Sequence, residues 1–131
     1  MDQQLVQALE LHQQKKTEEA LALYKTILKR QTPPLQAFLN ASSILRAKEQ
    51  QKEAISCLTK GQILYPKEAG LWNNLGNCYL DVRSITHAVK AYRCALSLKP
   101  SFADARVSLA ACLRDLGHSR LAYATIVDRF K

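Results

Sequence analysis

Apolar and small residues recur every three to four positions between residues 69 and 102. Trp72, Leu75, Gly76 and Tyr79 share one face of a helix predicted over residues 69–82. Ala88, Tyr92 and Ala95 share one face of a second helix, predicted over residues 86–98. Gly76 and Ala88 are small, so the two helices can approach closely where they cross. Pro100 ends the second helix, because it lacks an N–H and disfavours helical geometry at Lys99. The stretch therefore reads as a helix hairpin.

The same pattern returns at a shift of 34. The small residue of the second helix recurs as Ala20, Ala54, Ala88 and Ala122, and the large residue four places on as Tyr24, Leu58, Tyr92 and Ile126. In the first helix the small residue recurs as Ala8, Ser42, Gly76 and Ala110, and its partner as Leu11, Leu45, Tyr79 and Leu113. No insertion breaks the frame, so the chain reads as one array of four units: residues 1–34, 35–68, 69–102 and 103–131.

Individual units depart from the pattern in readable ways. The first is expected to hold helices at about 3–14 and 18–30, with Gln7 weakening the first. Thr32 ahead of Pro33-Pro34 reads as a cap followed by a helix start. Ser101-Phe102-Ala103-Asp104 has the form of a capping box. Gly61 within a helix costs roughly 1 kcal/mol against Ala, which a close crossing offsets. The turn between paired helices falls at Lys15, Glu49, Arg83 and Gly117. If that turn is left-handed, each non-glycine costs roughly 1–2 kcal/mol. The last helix, expected over about 119–130, carries Leu121, Tyr123, Ile126, Val127 and Phe130 and is apolar on more than one face. A terminal helix should have a polar outer face. The expectation is therefore that more repeats or a capping helix follow residue 131, and that in the isolated chain either this helix frays or two copies form a weak dimer through it.

Trp72, Leu75, Gly76, Tyr79, Ala88, Tyr92, Ala95 and Pro100 match the 34-residue tetratricopeptide pattern W-x2-L-G-x2-Y…A-x3-F…P, with Tyr92 in the phenylalanine place. The chain resembles the tetratricopeptide repeat family across its whole length. The resemblance implies an all-α fold, a right-handed α-solenoid of antiparallel helix hairpins with about eight helices. It also implies a concave groove lined by the first helices. Carried over place by place, the groove residues are Leu5, Leu9, His12 and Gln13; Gln36, Leu39, Ser43, Arg46 and Ala47; Asn73, Asn77, Leu80 and Asp81; and Asp104, Val107, Ala111, Arg114 and Asp115. Asn40, Asn74 and Ser108 hold the sixth place of successive units, with Val6 ahead of them. Two stacked asparagines resemble the asparagine ladder of O-GlcNAc transferase repeats, as does the run Trp72-Asn73-Asn74-Leu75-Gly76-Asn77. An amide offers both a donor and an acceptor, so a ladder can hold a peptide backbone without reading its sequence. The two-carboxylate clamp of chaperone-binding members is not matched, because its groove lysines are missing here.

Charge changes this picture little. The net charge of +8 would suit nucleic acid or an acidic surface. Yet Lys25, Lys29, Arg30, Lys52, Lys60, Lys90 and Arg93 fall on second helices, the convex side. Only Arg46 and Arg114 are groove candidates, and Asp81, Asp104 and Asp115 offset them. The aromatics sit at core places rather than along a basic track, which argues against nucleic acid.

Candidate chemistry is sparse. Cys57, Cys78, Cys94 and Cys112 form no CxxC pair, which favours a reducing, cytoplasmic setting. Cys78 and Cys112 hold a packed place and read as core thiols. His12, His87 and His118 have no zinc spacing. No nucleophile–base grouping or phosphate loop is visible, so neither a cofactor nor catalysis is expected. No run of apolar residues is long enough to span a membrane. Two readings stand. One is a non-catalytic scaffold for a protein or peptide partner. The other is the targeting arm of a larger enzyme, such as a glycosyltransferase.

Overall fold

The computed structural model describes residues 2–127, the side chains at 119, 123, 126 and 127 excepted. Eight helices follow one another: α1 (Gln3–Gln13), α2 (Thr17–Leu28), α3 (Leu35–Ala47), α4 (Gln51–Leu64), α5 (Ala69–Asp81), α6 (Ile85–Leu98), α7 (Ala103–Asp115) and α8 (Ser119–Val127). The described residues contain no strand. The helices pair as the 34-residue frame requires, each first helix packing on the second helix that follows it. The chain divides between Tyr65 and Pro66 into two compact units.

Each turn inside a hairpin is left-handed at the slot the frame assigns. Lys15, Glu49 and Arg83 have φ of 62°, 61° and 63°, and Gly117 has φ of 86°. The following residue, at 16, 50, 84 or 118, donates its N–H to a carbonyl five residues back, which closes the turn. The expected caps, in contrast, do not form. α3 begins after Pro34, not at Thr32, and α7 begins after Phe102 with no side chain capping it. The frame already fixes where these helices start, so the caps are dispensable. One side-chain cap does form: Asp2 accepts from the Leu5 N–H at 3.1 Å and opens α1.

The core of the first unit is built from Ala8, Ala20, Leu21, Tyr24 and Ile27, then Ala37, Phe38, Ala41, Leu45, Ala54 and Leu58. Gly61 lies against the Phe38 ring; a Cβ there would come within 2.9 Å of Cγ. The close crossing expected at this glycine is therefore present. Tyr65 packs edge-on against Phe38 and donates its hydroxyl to the Pro33 carbonyl at 2.7 Å. Arg30, expected among the solvated cations, is half-buried and grips the Asp2 carboxylate through both terminal nitrogens, at 2.6 and 3.2 Å.

The second unit packs Ala88, Val89, Tyr92 and Ala95 of α6 against Leu109, Ala110, Cys112 and Leu113 of α7. Trp72, Tyr79, Leu80 and Phe102 border this cluster. Gly76 is tighter than Gly61: an added Cβ would sit 2.6 Å from the Tyr92 ring. Arg106, in the tryptophan place of its unit, donates to the Pro100 and Thr125 carbonyls and ties α7 to α8. Cys78 and Cys112 are buried, as core thiols should be, and burial pushes the Cys112 thiol up, with Asp115 adding to the shift. Tyr123, Ile126, Val127 and Phe130, on which the expected dimer rests, lie outside the described side chains. Among the described side chains of α8, Leu121 is exposed.

Candidate functional site

The candidate site is the first-helix face of each unit. Helical spacing explains its membership. On α5, Asn73, Asn77 and Asp81 are spaced four apart and form one stripe, while Leu71, Leu75 and Cys78 are buried. On α3, Gln36, Asn40 and Ser43 form a corresponding polar row.

In the first unit, Leu5, Leu9, His12, Leu39 and Asn40 are half-buried, whereas Gln36, Ser43 and Arg46 are exposed. Gln36 donates to Asn40 Oδ1 at 3.2 Å, and Ser43 donates back to the Leu39 carbonyl at 3.0 Å. His12 meets the Tyr24 ring edge-on, with centroids 6.1 Å apart. Asn40 Nδ2 donates to the Tyr24 hydroxyl at 3.0 Å. Burial raises the Tyr24 phenol above its ordinary range, and the Asn40 donor pulls it back.

In the second unit, Asn74, Asn77, Ser108 and Ala111 are half-buried, and Asp81, Asp104 and Arg114 are exposed. Val107 is 62% exposed, which leaves an apolar patch among polar neighbours. Asn77 Oδ1 accepts from the Tyr92 hydroxyl at 2.6 Å, so its Nδ2 is the end left to face a ligand. Asn73 is only 8% exposed, and its Oδ1 has no hydrogen-bond partner.

The tyrosine hydroxyls are the functional detail that reading the sequence missed. Tyr24 and Tyr92 hold the same aromatic place, which the sequence pattern marks as core. Both are fully buried, yet each phenol needs a partner, and each finds an asparagine of the site. The signal was present: Tyr stands where the family pattern has Phe. The two asparagines are consequently engaged in opposite senses, Asn40 as donor and Asn77 as acceptor.

The tetratricopeptide repeat family model matches residues 69–102, the unit in which Asn73 and Asn77 lie. The chain belongs to the tetratricopeptide repeat family. It is 32% identical over 109 residues to the probable UDP-N-acetylglucosamine–peptide N-acetylglucosaminyltransferase SPINDLY of Hordeum vulgare, covering 83% of this chain and 12% of that protein. It is 32% identical over 79 residues to the peroxisomal targeting signal receptor of Kluyveromyces lactis, covering 60% of this chain and 14% of the receptor. The chain thus spans only about an eighth of the length of such relatives. The crystal structure of MamA superposes with a TM-score of 0.84 at 20% identity, covering 93% of this chain and 73% of that one. The human IFIT1 dimer with m7Gppp-AAAA gives a TM-score of 0.79 at 20% identity, covering 97% and 32%. These likenesses fix the fold class as an all-α solenoid of helix hairpins. A tetratricopeptide repeat fold is a protein-interaction fold. Among the described residues no helix is long and apolar enough to cross a membrane.

Proposed function

We propose that this chain is a non-catalytic binding module whose first-helix faces hold an extended segment of a protein partner, chiefly through its backbone. The carrying observation is Asn73 Oδ1, a buried acceptor without an internal donor. Buried polar atoms in folded proteins are nearly always paired, so an unpaired one calls for a reason. A side-chain shift that opens Asn73 to a peptide N–H from a partner is such a reason. Asn77 Nδ2, one turn away, then offers a donor to a peptide carbonyl. Asn74 on the same helix and Ser108 on α7 extend this amide and hydroxyl chemistry within the second unit, and Asn40 supplies it in the first. The exposed Val107 would take an apolar side chain of the same segment.

The test is selection of peptides against the chain from a display library, followed by titration of the best binder. Asn73→Ala with Asn77→Ala should weaken that binder by about tenfold or more, since each lost hydrogen bond is worth about 0.5–1.5 kcal/mol. Helicity should be retained, while melting should fall by a few degrees, because Asn77→Ala leaves the buried Tyr92 hydroxyl without its acceptor. Unchanged affinity in a folded double variant would place binding on another surface.

A second reading is favoured by the match to SPINDLY, which runs through 83% of the chain. In that reading the same module is the targeting arm of a longer glycosyltransferase-like enzyme, working in the cytoplasm. Its groove chemistry is identical, so the two readings differ in what is joined to the chain, not in how it binds.

A further inference from the structure

The second-helix side of the first unit carries a cavity of about 160 Å3, and none of its lining residues belongs to the first-helix site. Its apolar lining is Leu28, Phe38, Ala41 and Leu45. Its polar side is one face of α4, where Glu53, Ser56, Cys57 and Lys60 recur at intervals of three, one and three. Most of this polar side is already committed. Lys25 Nζ, across the cavity on α2, pairs with Glu53 Oε1 at 3.1 Å, so these two charges cancel. The Cys57 thiol lies 3.7 Å from the Phe38 carbonyl and donates to it. Among the described residues, Ser56 Oγ and Lys60 Nζ have no protein partner, and both are exposed one helical turn apart. The cavity therefore combines an apolar floor with one open hydroxyl and one uncompensated positive charge.

We propose that this cavity binds a small carboxylate with an apolar body the size of a single ring. The volume suits it: a dry cavity of about 150 Å3 holds benzene. The ring would lie on half-buried Leu28, with the buried Phe38, Ala41 and Leu45 behind it, and the carboxylate would accept from Lys60 and Ser56. A charge-assisted bond to an ammonium is about twice as strong as a neutral one, so Lys60 makes the site selective for an anion. An amine of the same shape would meet Lys60 with like charge.

Cys57 reports on occupancy without a label. Alkylation of the intact chain by iodoacetamide can be followed thiol by thiol by mass spectrometry, with half-buried Cys94 of α6 as the internal control. Benzoate should slow alkylation of Cys57 severalfold, with a Kd on the order of 1–10 mM, as expected of a fragment-sized ligand. Cys94 should react at an unchanged rate, and benzylamine should protect neither. Lys60→Gln should weaken protection about tenfold and Ser56→Ala by less, on chains that melt with wild type because both positions are exposed. Amide shifts of α4 on benzoate titration should follow the same curve. The proposal is overturned if benzoate leaves Cys57 unprotected, if it protects Cys94 equally, if benzylamine or toluene protects as well as benzoate, or if Lys60→Gln leaves the curve unmoved.

Discussion

Three residues carry a backbone conformation that their side chains disfavour. Lys15, Glu49 and Arg83 all sit near φ +62°, at the slot that Gly117 fills in the last hairpin. An L-residue there costs roughly 1–2 kcal/mol, while glycine returns part of the gain through a more flexible unfolded chain. Replacing any one of the three by Gly should stabilise by about 0.5–1 kcal/mol. Gly117→Ala should destabilise by about 1 kcal/mol; a Cβ there meets nothing within 4 Å, so the effect is purely backbone. Urea midpoints of the four variants check this, and a Gly at 15, 49 or 83 that lowers the midpoint would show that those side chains make contacts outweighing the strain. These slots were legible in the sequence because the 34-residue frame counts straight to them. The Asp2–Arg30 pair was not, since it joins positions 28 apart at a half-exposed edge with no periodicity to announce it. Its consequence is a pH effect. Arg30 hydrogen bonds first, then the Leu5 N–H, hold the Asp2 carboxyl below its ordinary 3.8. A depressed carboxylate stabilises the fold above its unfolded pKa, and that contribution is lost as pH falls through the folded value. Asp2→Asn should therefore lower stability near neutrality and flatten the acid limb of a melting series taken from about pH 5 to about pH 2. The effect is small at an exposed site.

At the scale of the hairpin, the determining contacts are between a helix backbone and a ring. The Tyr92 ring fills the space over Gly76, and the Phe38 ring fills the space over Gly61. Helix propensity alone predicts that Gly→Ala stabilises either helix by about 1 kcal/mol. Packing opposes it, because overfilling a close contact costs typically 1–3 kcal/mol. At Gly76 the clash is 2.6 Å and the ring is pinned by its bond to Asn77, so packing wins and the melt should fall by several degrees. At Gly61 the nearest atom is 2.9 Å away, and the loss should be smaller. Ala88→Trp, at a fully buried crossing, should exceed both. A Gly76→Ala chain melting at or above wild type would show that the hairpin relaxes more readily than its contacts imply. Hairpin limits were legible to within one or two residues, because apolar spacing and Pro100 carry that information. The capping signals misled because Ser101 and Thr32 have the right chemistry but the wrong register, which the packed frame overrides. The tyrosine–asparagine bonds were hidden for a different reason: a buried aromatic reads as core whether or not its hydroxyl reaches a polar face.

Across the molecule, the amides of the candidate site and the helical lysines lie on different helices. The amides of the candidate site are on α1, α3 and α5, and α7 adds the Ser108 hydroxyl. α6 carries no acidic residue and exposes Lys90 and Arg93, and α2 and α4 expose Lys25, Lys29, Lys52 and Lys60. Of the net charge of +8, the second helices α2, α4, α6 and α8 carry +3, the first helices −1, and the residues outside the helices the remaining +6. Lys25 is partly neutralised by Glu53, and Lys48 at the end of α3 pairs with Glu18 of α2 at 2.6 Å. A basic face without stacked aromatics gives nonspecific attraction to phosphate, with a Kd of about 10⁻⁴–10⁻⁶ M that rises steeply with salt. The molecule should thus bind single-stranded RNA no better than about 10⁻⁶ M at physiological salt. Lys90→Glu with Arg93→Glu should weaken even that while leaving a peptide selected against the chain within about twofold of wild type, since charges outside the proposed peptide site act mainly through long-range attraction. Asn73→Ala with Asn77→Ala should give the converse. Fluorescence anisotropy with one labelled peptide and one labelled RNA, at two salt concentrations, reads all four combinations. Should the charge reversal abolish peptide binding and the asparagine pair leave it intact, the second helices would be the interaction surface, and the unpaired acceptor at Asn73 would need a different partner.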